Sequence, residues 1–271
     1  MTVQAPLDPR QKAALSPSEA RGYFRSETWQ GSTRGFAFGR LQCGVVMLPQ
    51  SEAADFLAFC TKNNAALPLL DMTPAGVPVT KAYAPDADLR TDVPLYRVFR
   101  DGELVDEVPN IKNYWRDDMV SFVLGCSMTF DSALLANGIP NRQLTETGKP
   151  SMYVTNIECE PTERFSGPLV VSMRPMLPAQ AIRAIQVTSR FPKTHGAPNH
   201  FGDPAAIGIA DIMKPDIGAP VRILDGEVPV FWPCIGTIWS VVARSKPPFF
   251  ISHAPGCMFI ADLSDEEMSV L

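Results

Sequence analysis

The sequence predicts an α/β protein with mixed sheets, flanking helices and two subdomains around a site built from loops. Helical and strand-like segments alternate along parts of the chain, whereas strand-like segments follow one another directly elsewhere. Hydrophobic residues make up 45% of the 271 residues, which is enough for a large packed core. Proline occurs 26 times, about twice its average usage, and favours stiff irregular loops.

The N-terminal elements have clear start signals. Residues 1–15 are predicted to be a flexible tail. Ser16-Pro17-Ser18-Glu19 is then a capping box that opens a helix reaching about residue 25. Residues 41–48 are a predicted strand, and the helix from about residue 50 has one continuous apolar face.

The middle of the chain contains strand-like segments. Residues 67–70 form a short predicted strand, and residues 71–90, rich in proline and aspartate, are predicted to be a long connection. Asp101-Gly102 between two alternating segments indicates a β-hairpin over residues 95–108. The apolar residues 119–124 fit a buried strand.

The second half alternates between the two kinds of element. A helix over 130–136 is stopped by Asn137-Gly138, and strands are predicted at 152–157 and 169–173 before a helix over 178–190. Further apolar segments follow at 226–230, 235–243, 249–252 and 257–261. We expect residues 16–85 and 191–271 to form the main subdomain, with 86–190 inserted as a smaller one.

Charge and composition exclude several classes of protein. The net charge of −5 leaves no basic surface for nucleic acid or an anionic membrane, and the longest apolar runs are far shorter than a membrane span. The N-terminus lacks the pattern of a secretory signal, so a cytoplasmic protein is expected. The six cysteines have no C-x-x-C pair, which disfavours a zinc framework and a disulfide scaffold.

All three histidines lie in two segments stiffened by proline and glycine. His195, His200 and Asp203 share one segment and His253 lies in the other. Imidazole exchanges protons near neutral pH, so His195 and His253 are predicted to be catalytic, with Asp203 orienting an imidazole. Metal ligation is an alternative, although Pro198 excludes the helical spacing of zinc proteases. A third interpretation is that these side chains only hold turns.

Gly125-Cys126-Ser127-Met128-Thr129 follows a buried strand and opens a helix. Backbone N–H groups at such a turn favour an anion, so Cys126, Ser127 and Thr129 are predicted to bind a substrate carboxylate. Cys126 also fits a nucleophile with a lowered pKa. The simpler interpretation is that Ser127 or Thr129 caps the helix.

Other polar residues at strand ends and on loops complete the predicted site. Arg174 can clamp a carboxylate through two parallel hydrogen bonds. Asn156 and His200 are predicted to help orient the substrate. Each of these residues, taken alone, is more often an ordinary capping or surface residue.

Several rigid motifs in a fixed order resemble the hydro-lyase family that includes the D-glutamate cyclase domain. The resemblance extends from about residue 16 to about residue 263. The matching stretches are Ser16-Pro17, Glu19-Ala20-Arg21, Gly125-Cys126-Ser127, Met152-Tyr153-Val154-Thr155-Asn156-Ile157, Val170-Val171-Ser172-Met173-Arg174-Pro175, Thr188-Ser189-Arg190-Phe191-Pro192, His195-Gly196-Ala197-Pro198, Gly202-Asp203-Pro204, Glu227-Val228-Pro229-Val230-Phe231-Trp232 and His253-Ala254-Pro255-Gly256.

The resemblance implies an α/β lyase that adds or removes water on a small carboxylic acid, and some members interconvert D-glutamate and 5-oxo-D-proline. Three stretches depart from the family pattern. Cys234-Ile235-Gly236-Thr237-Ile238-Trp239 replaces a Cys-Gly-Val-Thr-Pro-Gln stretch, and its Thr237 is assigned to substrate binding. Cys257 stands where the family has histidine, and Met128-Thr129-Phe130-Asp131 replaces Phe-Thr/Ser-Phe-Glu. If these stretches line the pocket, they alter substrate preference.

The leading hypothesis is therefore a cofactor-independent hydro-lyase or cyclodehydratase that uses acid–base catalysis on a small carboxylate or acidic amino acid. One alternative is a metal-dependent lyase or isomerase with the same pocket. Another is a carboxylate-binding protein without activity. The sequence does not determine the oligomeric state, and a homodimer is our hypothesis for it.

Overall fold

The computed structural model describes residues 7–270, and two β-sheets form its frame. In chain order the strands are β1 (Arg40–Pro49), β2 (Leu69–Met72), β3 (Tyr96–Arg100), β4 (Glu103–Val108), β5 (Met119–Gly125), β6 (Ser151–Glu158), β7 (Pro168–Met176), β8 (His200–Phe201), β9 (Ile217–Gly218), β10 (Val228–Pro233), β11 (Phe250–His253) and β12 (Phe259–Ser264). The α-helices are α1 (Pro9–Ala14), α2 (Pro17–Arg25), α3 (Gln50–Lys62), α4 (Asp131–Ala136), α5 (Arg142–Glu146), α6 (Pro178–Thr188) and α7 (Thr237–Ser245). Short 3-10 helices occupy Ser127–Phe130, Pro192–Thr194, Pro204–Ile207 and Glu266–Met268.

The larger sheet is organised around β1. Its order is β2-β5-β1-β11-β3-β4, and β12 also pairs with β1. The described pairs are antiparallel. Strand β5 is buried throughout and β1 at all but its first residue, because both faces of these strands are covered. This explains why β5 has a continuous apolar sequence instead of an alternating one.

The smaller sheet has the order β8-β10-β7-β6-β9 and is also antiparallel in its described pairs. Helix α3 joins it to the larger sheet through aromatic contacts. Phe56 of α3 packs against Phe122 of β5 with ring centroids 5.0 Å apart, and against Phe165, just before β7, at 5.1 Å. Truncating such a buried ring to alanine costs about 3–5 kcal/mol, so these contacts are a main support of the fold.

The predicted α/β class with flanking helices is confirmed. Helices α2, α3 and α6 occur where the sequence predicts them, and the unassigned segment 235–243 mostly forms α7. Within the predicted tail, residues 9–14 form α1, which an Asp8 capping box initiates, whereas residues 1–6 lie outside the described part of the chain. None of the described helices is long and apolar enough to cross a membrane.

The two sheets divide the chain differently from the predicted subdomains. Residues 96–125, assigned above to the insertion, supply β3, β4 and β5 of the larger sheet. The change of sheet falls between β5 and β6. Strands β11 and β12 from the C-terminal part of the chain both pair with β1.

Candidate active site

A cavity lies where the two sheets meet, and it collects side chains from both. Cys126 and Ser127 follow β5, and His253 ends β11, so these three come from the larger sheet. Ser172 and Arg174 come from β7 of the smaller sheet. The enclosed part of the cavity is about 30 Å³, and the empty space is about 430 Å³ when the mouth that is open to solvent is included.

Two arginines flank one carboxylate at this cavity. Arg34 Nη1 lies 2.8 Å from Asp131 Oδ2, and Arg174 Nη1 lies 2.7 Å from Asp131 Oδ1. The three side chains are only 6–8% exposed. Arginine keeps its charge at neutral pH, so two guanidinium groups against one carboxylate leave a net charge of +1. A buried charge without a counter-ion is costly, and this cluster therefore favours an anion as ligand.

Arg174 is held in a fixed orientation. Its guanidinium lies 5.1 Å from the ring centroid of Phe130 and 5.5 Å from that of Trp232, and its Nη2 donates to the Ser127 carbonyl at 3.4 Å. Burial lowers the pKa of Arg174, and the Asp131 carboxylate opposes that shift. Arg174 Nη1 faces the Asp131 carboxylate in the short ion pair but has no aligned hydrogen bond among residues 7–270.

His253 lies in the wall of the cavity and is completely buried. Its Nδ1 is 3.2 Å from both the N–H and the carbonyl oxygen of Val45, and its Nε2 has no partner in the described structure. Burial lowers the pKa of His253 to about 4, so the imidazole is neutral at pH 7. When Nδ1 donates to the Val45 carbonyl, Nε2 presents a lone pair that can accept a proton.

Gly44 of β1 makes room for this imidazole. A Cβ atom at position 44 would lie 2.7 Å from His253 Cε1 and 2.0 Å from Ile235 Cδ1, both far closer than van der Waals contact. A larger residue at position 44 would therefore displace two side chains that line the cavity.

The cysteines of the cavity are thiols. Cys126 and Cys234 both line it, at 5% and 6% exposure. Burial raises the pKa of Cys126, only partly opposed by the Met128 N–H and Arg34, and it raises the pKa of Cys234 to about 12. The lowered pKa predicted for a Cys126 nucleophile is wrong, because loss of solvation outweighs the turn and the nearby arginines.

The segment with His195, His200 and Asp203 does not line the described cavity. His195 is buried, with Nδ1 2.8 Å from the Ala65 carbonyl, and burial lowers its pKa to about 4, but it does not line the described cavity. His200 Nε2 contacts the Asp203 carbonyl at 2.7 Å, and the Asp203 carboxylate accepts from Ala205 N–H at 3.0 Å. The structure therefore does not bring Asp203 to either buried imidazole. It caps a 3-10 helix, as the third interpretation proposed.

Three predicted binding residues support other parts of the fold. Thr129 Oγ1 exchanges hydrogen bonds with the backbone of Gln42 at 3.2 Å, which fixes the turn after β5 to β1. Thr237 Oγ1 donates to the Cys234 carbonyl at 2.7 Å and accepts from Val170 N–H at 3.0 Å. Asn156 is exposed on β6 and packs against Gly208. None of the three lines the cavity within residues 7–270.

Sequence reasoning missed Arg34, Asp131, Ser172 and Gln143. Arg34 lies in the loop before β1 and is distant in sequence from every motif used above, so no local pattern signals it. Asp131 lies in one of the stretches that depart from the family pattern. Ser172 is two residues before Arg174 on β7, and residues two apart on a strand point to the same face, so this spacing is the signal that could have found it. Ser172 Oγ is buried without a hydrogen-bond partner in the described structure.

The three altered stretches do contribute to the cavity. Met128, Ile235 and Met258 line it, one from each stretch. Cys257 lies beside it in a neighbouring open pocket that shares Pro150 and Gly256 with the cavity. Met128 and Ile235 differ from the family pattern and line the cavity, whereas Cys257, which replaces the family's histidine, lies beside it. Within residues 7–270 there is no group of three or more histidine, cysteine or acidic side chains placed to hold a metal ion.

Comparison with known proteins defines the class of this enzyme. A relative in Thermoanaerobacter sp. (strain X514), named "Putative hydro-lyase", is 52% identical, with 94% of this chain and 96% of the relative covered. Relatives with the same description in Bacillus subtilis (strain 168) and Bradyrhizobium sp. (strain ORS 278) are 49% and 48% identical, over 95% and 100% of this chain and 100% of each relative. The chain is a carbon–oxygen lyase of this kind. Residues 120–262 match the D-glutamate cyclase family model, so the chain belongs to that family.

Proposed function

We propose that the protein adds or removes water on a small carboxylic acid or acidic amino acid held in the cavity between the sheets. The observation that carries the proposal is the buried cluster of Arg34, Asp131 and Arg174, whose net charge of +1 is matched by one carboxylate. The Arg174 guanidinium, which lines the cavity, would supply a charge-assisted donor for it. D-glutamate is the first substrate to test, since the description of the matching family names it, and its cyclic product 5-oxo-D-proline is tested beside it.

The proposed chemistry needs one group that moves a proton, and His253 is placed to be that group. Ring closure of D-glutamate joins its amine to the side-chain carboxyl carbon and releases one water. The reverse reaction adds water to the lactam carbonyl. In our proposal His253 Nε2 takes the proton from the attacking amine or water and returns it to the departing oxygen or nitrogen. A neutral imidazole with an open Nε2 suits this role.

This assignment selects among the predicted catalytic residues. His253 lines the cavity together with Arg174, whereas His195 is buried against Ala65 and Asp203 caps a helix. We therefore propose His253 as the proton-transfer residue, and His195 as a buried support of the segment that packs on Gly125. That contact is tight, since a Cβ at position 125 would lie 1.8 Å from the Lys193 carbonyl oxygen.

The test is turnover by the purified chain. D-glutamate, 5-oxo-D-proline and a panel of small hydroxy acids are incubated with the enzyme, and products are separated by chiral chromatography with mass detection. We expect His253→Gln to lower kcat at least 100-fold, with His200→Gln, on the sheet edge, as the matched control within twofold of wild type.

The outcomes separate the alternatives. Ligand-induced thermal stabilisation without any turnover would favour a binding protein over an enzyme. Activity that disappears with a chelator and returns with one added metal would favour the metal-dependent lyase. Full activity in His253→Gln would refute the proposed role of that residue. Light scattering on the same sample tests the homodimer hypothesis.

A further inference from the structure

Two thiols, one from each sheet, face the same cavity. Cys126 follows β5 of the larger sheet and Cys234 follows β10 of the smaller sheet. Of the six cysteines, these two line the cavity that the described residues form, and both are more than nine-tenths buried. The acid–base scheme proposed above uses neither of them.

The surroundings of Cys234 can accommodate it with and without its proton. Its Sγ lies 3.3 Å from Met152 Sδ, which can accept the S–H, and 3.4 Å from the Gly236 N–H, which donates to the sulfur and favours a thiolate. For Cys126, burial disfavours the thiolate and raises the pKa, and the Met128 N–H and Arg34 partly oppose that effect. A side chain with partners in both protonation states is suited to passing a proton back and forth.

Two further observations point to a ligand between these thiols. Ser172 Oγ and His253 Nε2 are buried in the same cavity without partners in the described structure, and Arg174 holds an unaligned donor beside them. The guanidinium groups of Arg34 and Arg174 would bind the carboxylate. Both thiols line the same cavity as these guanidinium groups, so we place the carbon next to that carboxylate in the space that the two thiols share.

We propose that Cys126 and Cys234 form a proton-transfer pair. Through this pair the protein exchanges the hydrogen on the carbon next to the substrate carboxylate with solvent, and inverts the configuration of that carbon. This inference rests on the proposed carboxylate site. The ligand class is an acidic α-amino acid or its cyclic lactam.

The proposed step balances without an oxidant, reductant or cofactor. One cysteine, as thiolate, removes the proton and becomes a thiol, and the electron pair of the broken C–H bond is delocalised into the carboxylate. The guanidinium groups stabilise the added negative charge on its oxygens. The other cysteine donates its thiol proton to the opposite face of the carbon and becomes the thiolate. The product is the mirror-image acid, and the roles of the two cysteines are exchanged.

The electrostatics agree with a pair that shares one proton. Burial raises the pKa of both thiols, and a charge on Cys126 raises the pKa of Cys234 further, so the two do not ionise together. Because a C–H next to a carboxylate is a very weak acid, a strong base in a site that excludes water is better suited than an ordinary exposed thiolate.

The experiment follows hydrogen exchange in D2O. The full chain is incubated separately with D-glutamate, L-glutamate and 5-oxo-D-proline. Loss of the Cα–H signal is measured by proton NMR, and inversion by chiral chromatography. We expect deuterium at Cα in the wild type. We expect Cys126→Ser and Cys234→Ser each to lower inversion at least 100-fold, with a Kd for the ligand within threefold of wild type. Cys159→Ser is the matched control, since Cys159 is 7% exposed and does not line the described cavity. It should stay within twofold.

The wild-type measurement decides the matter even where a serine variant does not fold. Wild-type protein that binds or turns over these compounds without Cα exchange would overturn the thiol-pair proposal and leave the proposed function standing. Absence of calorimetric binding to every acid tested would remove the carboxylate site and the thiol pair together. Exchange at the wild-type rate in both folded serine variants would overturn the role of the cysteines.

Discussion

Replacing Arg174 by methionine removes one of two guanidinium groups while leaving a neutral pair of Arg34 and Asp131 behind. The fold should therefore tolerate Arg174→Met, because no unpaired charge is left buried, whereas a bound carboxylate loses a charge-assisted donor. A hydrogen bond to a charged group contributes about 1.5–3 kcal/mol. At about 1.4 kcal/mol for each tenfold change, Kd should rise about 10-fold to 150-fold.

The complementary change, Asp131→Asn, should lower stability, unlike Arg174→Met. It removes the only negative charge between two arginines and leaves a net charge of +2 in a site where the side chains are 6–8% exposed. Removing one partner of a buried ion pair costs about 3–5 kcal/mol, so we expect a clear loss of stability. An added carboxylate should recover part of this loss, since it binds the folded state.

Calorimetric titration with 5-oxo-D-proline and D-glutamate measures the affinities, and urea denaturation with and without ligand measures the stabilities. Arg183→Met is the control, because Arg183 lies on the exposed face of α6 and its guanidinium donates to Asn137, a residue that does not line the described cavity. The reasoning is refuted if Arg174→Met binds within twofold of wild type, or if Asp131→Asn is as stable as wild type without ligand.

Three further outcomes follow from the structure. Gly44→Ala should cost about 1–3 kcal/mol of stability and lower kcat more than tenfold, since its Cβ would meet Ile235 and His253. Gly22→Ala is the control, because no atom lies within 4 Å of the added Cβ. Equal behaviour of the two variants would contradict the packing argument. In the folded protein the pKa of both His195 and His253 is about 4, below the ordinary value of 6.5. Between these two pH values the unfolded chain binds more protons than the folded chain. The free energy of unfolding should therefore fall by about 3 kcal/mol for each histidine as the pH drops from about 6.5 to 4. Urea denaturation across this pH range checks the slope, which His253→Gln should reduce. Asp203→Ala should lose a helix cap worth about 1 kcal/mol in thermal denaturation and keep kcat within twofold; a large loss of kcat would restore the catalytic role predicted from sequence.

Local signals in the sequence were sufficient to predict individual helices and strands, but not to predict which strands belong to the same sheet. The capping box before α2, the Asp101-Gly102 hairpin and the apolar run of β5 each depend on neighbours within a few residues, and each prediction held. The boundaries of the predicted insertion did not match the sheets, because β11 pairs with β3 through residues more than 150 positions apart. No local pattern records such a pairing.

The candidate site shows the same division. Cys126, Ser127, Arg174 and His253 were all selected from sequence, and all four line one cavity. His195, His200 and Asp203 were selected for the same chemical reasons, yet they pack against Ala65 or cap a turn. Residue type and loop position cannot separate these two groups, since both have proton-carrying side chains on rigid segments.

The sequence by itself determined the α/β class, the family and the types of residue that supply a carboxylate site, because these depend on composition, local periodicity and short rigid motifs. Only the tertiary structure decided that Arg34 and Arg174 share Asp131, that His253 rather than Asp203 lines the cavity, and that Cys126 is a buried thiol. These properties depend on burial and on distances between segments that are far apart in the chain, and both arise only when the two sheets pack together.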